Sequence, residues 1–448
     1  MSDKNINFEQ AFKVADQAVF KHTKKHLSDV EIVILRGAWE NKTYEEMAEN
    51  SEYATNYLQR TVGPKLWRML SKALGEEVSK TNFRAGLQRK AQEHQINQES
   101  LETKTTLKLE FPEGAVALNS AFYINRIPME NECYESLRKP GSLINIKAPK
   151  QMGKTSLLNR ILEESKNLGY KTVTLNFLQA EKAVFSDLDK FLKWLCAYAS
   201  QKLKKSANLS EYWDEERGSI VSCTTYFEAS ILEEINTPLV LALDEVDRVF
   251  QYPEIADQFF PMLRSWHEEA KAMEVWEKLR LIVVYSTEYY GKLDINQSPF
   301  NVGLPVELRE FNLAEVESLG RQHSLDWERQ IGEDGLSRLV KMVGGHPYLI
   351  RLMFYHLVRS QKTLNELLQE AMTDAGIYGD HLRRHLDVLK EHFKLEAALK
   401  DVVTSDGPVR VETLQGYKLY SMGLIQRLGD LSIPRCELYR QYFRERLL

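Results

Sequence analysis

A chain of 448 residues exceeds what one hydrophobic core usually organises, so two or three domains are expected. With 43% hydrophobic and 27% charged residues and only 22 Gly and 13 Pro, extensive disorder is excluded, and a net charge of -5 excludes a global pull toward nucleic acid while leaving room for a local basic face. Cys133, Cys196, Cys223 and Cys436 are far apart and form no zinc-binding pattern. Met1 to Gln10 lack the pattern of a signal peptide, and no apolar run approaches about 20 residues, so a cytoplasmic chain with reduced thiols and no membrane partner is expected.

Residues 1–90 read as an all-α domain. Apolar clusters at three- and four-residue spacing, Val30, Val33 and Ile34 and then Leu58, Val62, Leu66, Met69 and Leu70, mark its helices. Ser28 and Glu31 form a capping-box pattern, and Thr43 stands where it can cap the next helix. A third helix, about Ala54 to Ala73, carries Arg60, Lys65, Arg68 and Lys72 and no acidic residue, as a helix seated on phosphates would. Two features oppose that use: Pro64 is expected to break the helix after one or two turns, and Glu40, Glu45, Glu46, Glu49 and Glu52 crowd the stretch before it. The succession Leu27–Leu35, Thr43–Ala48, Ala54–Arg60 is similar to the helix-turn-helix of sigma-factor and LuxR-type regulators. That resemblance implies either DNA contact through residues 27–73 or protein docking with the same shape.

A polar, Gln/Glu/Lys/Thr-rich stretch from Lys90 to Leu109 reads as a linker, placed at residues 91–111. From 112 to 311 short apolar runs, Leu143–Ile146, Thr172–Leu175, Leu239–Leu243, Leu281–Tyr285 and Val306–Leu308, alternate with amphipathic stretches, Thr155–Lys166, Leu188–Leu203, Tyr226–Ile235 and Gln258–Ala272. This alternation predicts an α/β domain with a parallel sheet covered on both faces. Residues 312–390 read as helical. In 391–448, Leu414, Tyr420, Leu424 and Ile425 precede a turn at Gly429–Asp430, the short run Leu431–Ile433 and a last helix, Glu437–Leu447, which fits a winged helix.

Three strand ends carry chemistry. After Ile144–Ile146 comes Ala148-Pro149-Lys150-Gln151-Met152-Gly153-Lys154-Thr155-Ser156 opening a helix, an arrangement that presents backbone N–H groups and a helix N-terminus to phosphates. Lys154 would reach the β- and γ-phosphates and Thr155 would hold Mg²⁺ through its hydroxyl. The first glycine of the GxxxxGK[ST] pattern is Ala148 here, which stiffens the entry while leaving the close approach at Gly153. The run Leu239–Leu243 ends in Asp244-Glu245, a Walker B arrangement in which Asp244 anchors the magnesium water shell and Glu245 orients or deprotonates the attacking water. The run Leu281–Tyr285 ends in Ser286-Thr287, which either sense the γ-phosphate or close a strand-end turn. Gly344-Gly345-His346-Pro347 is either an inter-helix turn or a tight turn aiming His346 and Pro347 at a nucleotide.

Phe122–Arg126 (FYINR), IKAPKQMGKTSLL, LALDEVD, the Ser-Thr-Glu strand end, GGHPYL and the terminal LYRQYFRERL together resemble the bacterial AAA-like ATPases close to the STAND class of signal-transducing ATPases. The resemblance spans about residues 112 to 448 and implies an ATP- and magnesium-binding P-loop NTPase core whose helical lid and winged helix close over the nucleotide. It assigns Gly153, Lys154 and Thr155 to the phosphate loop, Asp244 and Glu245 to magnesium and water, and His346 and Pro347 to a lid contact. One departure is clear: no arginine lies between Ser286 and Pro305, where many AAA+ ATPases carry a finger, leaving Arg264 or Arg309 as sources in trans. This predicts weak intrinsic ATP hydrolysis and a regulatory switch that recruits a protein partner or self-associates. The alternative is a DNA-binding regulator or DNA-loading ATPase. The basic run Arg435, Arg440, Arg444 and Arg446 is interrupted by Glu437 and Glu445 and reads as a solvated face.

Overall fold

The computed structural model describes residues 8–23, 27–49, 51, 53–87, 109–214, 216–286, 298–325, 330–360 and 362–448. Most of the expected linker and Thr287 lie outside them. The chain divides into two compact units, Met1–Lys108 and Leu109–Leu448. Among the described residues no helix is long and apolar enough to cross a membrane.

The first unit is helical: α1 (Phe8–Thr23), α2 (Asp29–Trp39), α3 (Tyr44–Glu49), α4 (Thr55–Tyr57) and α5 (Gly63–Leu74). Ser28 and Glu31 make the expected capping box on α2, and Thr43 and Glu46 bond reciprocally at the head of α3. The expectation that Pro64 breaks the third helix is corrected. A π-turn over Leu58–Val62 joins α4 to α5, and Pro64 sits in the first turn of α5, where a missing N–H costs little. The π-turn also answers a spacing problem. Leu58, Val62, Leu66, Leu70 and Leu74 are all buried in one core, yet four-residue steps in a straight α-helix would drift about 160° over that length. One extra residue in the π-turn takes back about 100° of it.

The second unit holds a parallel sheet of β1 (Leu143–Lys147), β2 (Lys171–Asn176), β3 (Leu239–Asp244), β4 (Leu279–Tyr285) and β5 (Leu304–Glu307), in the order β2-β3-β4-β1-β5. Alternate residues feed opposite layers. Leu239, Leu241 and Leu243 of β3 face the aromatic-rich core under α8 (Leu188–Lys202) and α10 (Pro253–Glu269), while Val240 and Ala242 face the core under α6 (Met129–Arg138) and α7 (Lys154–Asn167). The expected helix at Tyr226–Ile235 is instead the π-helical end, Tyr226–Leu232, of a helix that starts as α9 (Gly218–Thr225).

After the sheet come α11 (Leu313–Gln322), α12 (Gly335–Val343), α13 (Pro347–Arg359) and α14 (Leu364–Glu370). Then come α15 (Gly379–Lys390), α16 (Phe393–Thr404), α17 (Thr413–Ser421), the antiparallel hairpin β6 (Ile425–Leu428) and β7 (Leu431–Pro434), and α18 (Glu437–Leu447). The turn of that hairpin is Gly429–Asp430, as expected from the sequence. This last segment is tied to β5 by Tyr420 OH donating to Glu307 Oε1 at 2.8 Å, and to the chain just after β5 by Arg435 Nε on Glu310 Oε1 at 2.6 Å.

Buried histidines make this unit acid-sensitive. Burial lowers His323 to about 4 and His346 to about 3, and holds His381 well below the ordinary value. A depressed histidine contributes stability that is complete above the unfolded pKa of about 6.5 and is lost as pH falls toward the folded value, at up to about 1.4 kcal/mol per pH unit for each ring. The urea midpoint of the purified protein is therefore expected to fall markedly between pH 7 and pH 5. An unchanged midpoint would contradict this account.

Candidate functional site

The strand order sets β3, β4 and β1 side by side, and all three run the same way. Their carboxyl ends therefore bring the Lys154 loop, Asp244-Glu245 and Ser286 together from positions far apart in the chain. Lys154 opens α7 and is 9% exposed; its Nζ donates to the carbonyl oxygens of Ala148 (2.9 Å) and Pro149 (3.1 Å) and to Ser286 Oγ (2.8 Å). Burial lowers its pKa, against the pull of Asp247, Glu245 and Asp244. Gly153 precedes it with φ of 96°, and a Cβ there would lie 3.1 Å from Arg126 Nη2. The positive φ favours glycine here, and a Cβ would also crowd the tip of Arg126.

Asp244 is 4% exposed, and burial followed by the neighbouring Glu245 pushes its carboxyl up to about 6. Its Oδ1 accepts from the Glu245 N–H at 3.0 Å. Glu245 itself takes φ of 56°, a left-handed conformation that costs a non-glycine residue about 1 kcal/mol and turns the chain sharply at the strand end.

A cavity of about 630 Å³ lies over these strand ends, within the usual range for small-molecule sites. Its polar lining includes Lys150, Gln151, Gly153, Lys154, Thr155, Asp244 and Glu245. Its apolar lining includes Phe111, Val116, Phe122, Phe311, Leu319 and Tyr348. Ser156 also lines it, though its hydroxyl is occupied by the Val116 N–H at 2.9 Å. Ala148 and Met152 are buried beneath the loop and belong to the core.

Pro347 lines the cavity, but His346 does not: its ring is buried, 5.7 Å from that of His381. The Gly-Gly-His-Pro segment does interrupt the helices, between α12 and α13. Ser286 is fixed twice, by Lys154 and by its own N–H donating to Asp247 Oδ2 at 2.7 Å. Arg264 is engaged with Glu268 and Asn301, and Arg309 with both carboxylate oxygens of Glu315. In the first unit Arg60, Lys65, Arg68 and Lys72 are all exposed.

Arg126, Asn176, Arg384 and Asp247 are polar groups of or beside the site to which the sequence assigns no role. Arg126 lines the cavity, donates to Met152 O at 2.7 Å and lies 4.9 Å from the Phe311 ring, while its Nη1 is buried without a hydrogen-bond partner. The FYINR motif contains it but says nothing of where it points. Asn176, opposite Asp244 in the sheet register, and Arg384 of α15 also line the cavity. The fourth, Asp247, is legible only as the last letter of the Asp-Glu-Val-Asp run.

The family described as AAA-like domain matches residues 111–445. The chain belongs to that family. Residues 6–90 match the vWA-MoxR associated protein N-terminal HTH, so a helix-turn-helix domain precedes the AAA-like domain. The chain is similar in structure to the Walker-type ATPase paby2304 of Pyrococcus abyssi, with a TM-score of 0.53 and 14% identity over 75% of this chain and 99% of that one. It is also similar to the ORC2 protein of Aeropyrum pernix, solved in ADPNP-ADP complexes, with a TM-score of 0.44 and 15% identity over 74% of this chain and 95% of that one. Over 242 residues it is 24% identical to an uncharacterized WD repeat-containing protein, slr0143, of Synechocystis sp.; the match takes in 53% of this chain and only 20% of that protein. The fold of the AAA-like domain is that of a P-loop ATPase.

The oxygen donors that line the cavity, Thr155, Asp244 and Glu245, suit a hard divalent cation. Among the described residues no group of three or more His, Cys, Asp or Glu side chains could hold a metal by itself. The raised pKa of Asp244 gives a test without either ligand. A folded value of about 6 above an unfolded value near 3.9 means that its contribution to stability is complete below pH 4 and lost as pH rises through 6. Without magnesium or nucleotide, Asp244→Asn is expected to stabilise the protein at pH 7, by about 3 kcal/mol at most, with the gain vanishing at pH 4; equal unfolding midpoints at pH 7 would refute it.

Proposed function

We propose that the AAA-like domain binds ATP with magnesium in this cavity and works as a slowly hydrolysing regulatory switch of the STAND kind. The observation that carries the reading is the buried Lys154 ammonium at the mouth of α7, between the loop carbonyls and Ser286. Phosphates would meet the loop N–H groups, Lys154 and the unpartnered Nη1 of Arg126, and the base would pack on the apolar lining of the cavity. Thr155 and Asp244 would hold magnesium, which supplies charge neutralisation between the terminal phosphates when bound. Glu245 would orient the attacking water, and Ser286 would sense the γ-phosphate. Turnover is slow in this reading because no arginine lies between Ser286 and Pro305. The helix, hairpin and helix after Phe393 would act as a winged helix whose position follows the nucleotide, and the helix-turn-helix domain would recruit a protein partner or a second copy.

Calorimetry with MgATP and MgADP tests this. Lys154→Ala should bind about 30-fold more weakly, as expected for loss of a hydrogen bond to a charged group worth about 2 kcal/mol. Equal affinity in the two proteins would remove the phosphate loop from the mechanism.

One observation favours a second reading, in which the helix-turn-helix domain contacts duplex DNA. In a straight α-helix Arg60 and Lys65 would point about 140° apart. The π-turn over Leu58–Val62 inserts the residue that makes them neighbours one turn apart, so Arg60 joins the stripe of Lys65, Arg68 and Lys72. Changing Arg60, Lys65 and Arg68 together to alanine should weaken binding to any duplex sequence and reduce the slope of log affinity against log salt by about 3. A wild-type protein with no duplex affinity at low salt eliminates this reading.

A further inference from the structure

We infer that the phosphate loop is held in its shape from outside the sheet, by a hydrogen-bonded relay from Gln151 through His381 of α15 to Tyr439 of α18, which makes His381 and Tyr439 positioning residues for phosphate binding. The inference rests on the nucleotide reading for its ligand, while the relay itself is a property of the folded chain.

The loop needs such a hold. Gln151 takes φ of 64°, a left-handed conformation that glycine adopts freely and other residues only when their surroundings impose it. Glycine would lack the side chain, and in this loop the side chain makes the bond. Gln151 Oε1 is 2.7 Å from His381 Nδ1, and His381 Nε2 is 2.8 Å from Tyr439 OH. An amide oxygen only accepts, so Nδ1 carries the proton. Burial keeps the ring neutral, so Nε2 has a free lone pair and accepts from the Tyr439 hydroxyl. The direction of both bonds is thereby fixed, and the His381 and Tyr439 rings stack with an 18° interplanar angle.

A second contact holds the same loop. Gly423, with φ of 79°, comes so near Pro149 that a Cβ on it would lie 2.9 Å from the proline Cβ. Two residues of the loop, Pro149 and Gln151, therefore rest on the last third of the chain. Coupling between sites is reciprocal: a ligand that requires this loop shape stabilises α15 and α18, and displacing α18 loosens the loop.

A double-mutant cycle on the full chain tests the relay. Tyr439→Phe keeps the ring and removes only the hydroxyl, and Gln151→Gly keeps the positive φ accessible while cutting the first bond. Tyr439→Phe should speed hydrogen exchange of the amides of residues 150–153 and weaken MgADP binding about fivefold. In a Gln151→Gly background the same change should have no further effect on either measurement. A Tyr439→Phe effect of equal size in both backgrounds marks a merely structural hydroxyl and overturns the relay, as does unchanged loop exchange. If the wild-type protein and Lys154→Ala bind MgADP equally poorly, the nucleotide reading falls, and the exchange cycle still decides the relay.

Discussion

An ammonium group removed from water must recover elsewhere the hydration it has lost, and the AAA-like domain is arranged around how Lys154 does so. Carbonyl oxygens of Ala148 and Pro149 and the Ser286 hydroxyl take its three protons, while the carboxylates of Asp244, Glu245 and Asp247 lie near enough to favour its charge. These groups come from the ends of three strands. The sheet can satisfy the lysine only if β1, β3 and β4 are adjacent, parallel and end at one level, so the register of the sheet and the polarity of the cavity follow from a single requirement. Asp247 extends the argument one step outward, because by holding the Ser286 N–H it fixes the hydroxyl that the lysine uses.

The helices after the sheet contribute to the same place. Tyr348 and Arg384 line the cavity from α13 and α15, and residues 111–116 line it too, with Phe111 set edge-on to Tyr355 at 5.2 Å. Glu110 pairs with Arg351 of α13 at 2.9 Å, so this segment is bound to α13 as well as to α7, through the Val116 N–H on Ser156. The cavity wall is thus shared between elements far apart in the sequence.

Much of this is legible in the sequence. The five strands stand out as short apolar runs, and β3, buried on both faces, as an unbroken one; Gly153, Lys154 and Asp244 follow from spacing alone. What stays hidden is set by tertiary contact. Arg126, Asn176 and Arg384 reach the cavity from elements whose mutual placement no local pattern encodes. The break at Gly344–Pro347 is visible, whereas the burial of the His346 ring away from the cavity depends on α15 packing against it. Pro64 shows a local rule overruled: a proline does break a helix interior, but the π-turn ahead of it, demanded by the four-residue spacing of Leu58 to Leu74, gives it a tolerated position.

The bonds from Gln151 to His381 and on to Tyr439 join points 230 and then a further 58 residues apart in the sequence. A ribosome adds about 5–20 residues per second, so the loop emerges roughly 15–60 s before the tyrosine that completes its support. During that interval the nascent chain carries every residue of the loop without the contacts that hold Gln151 in place, and the relay we propose is complete only once α18 has been made.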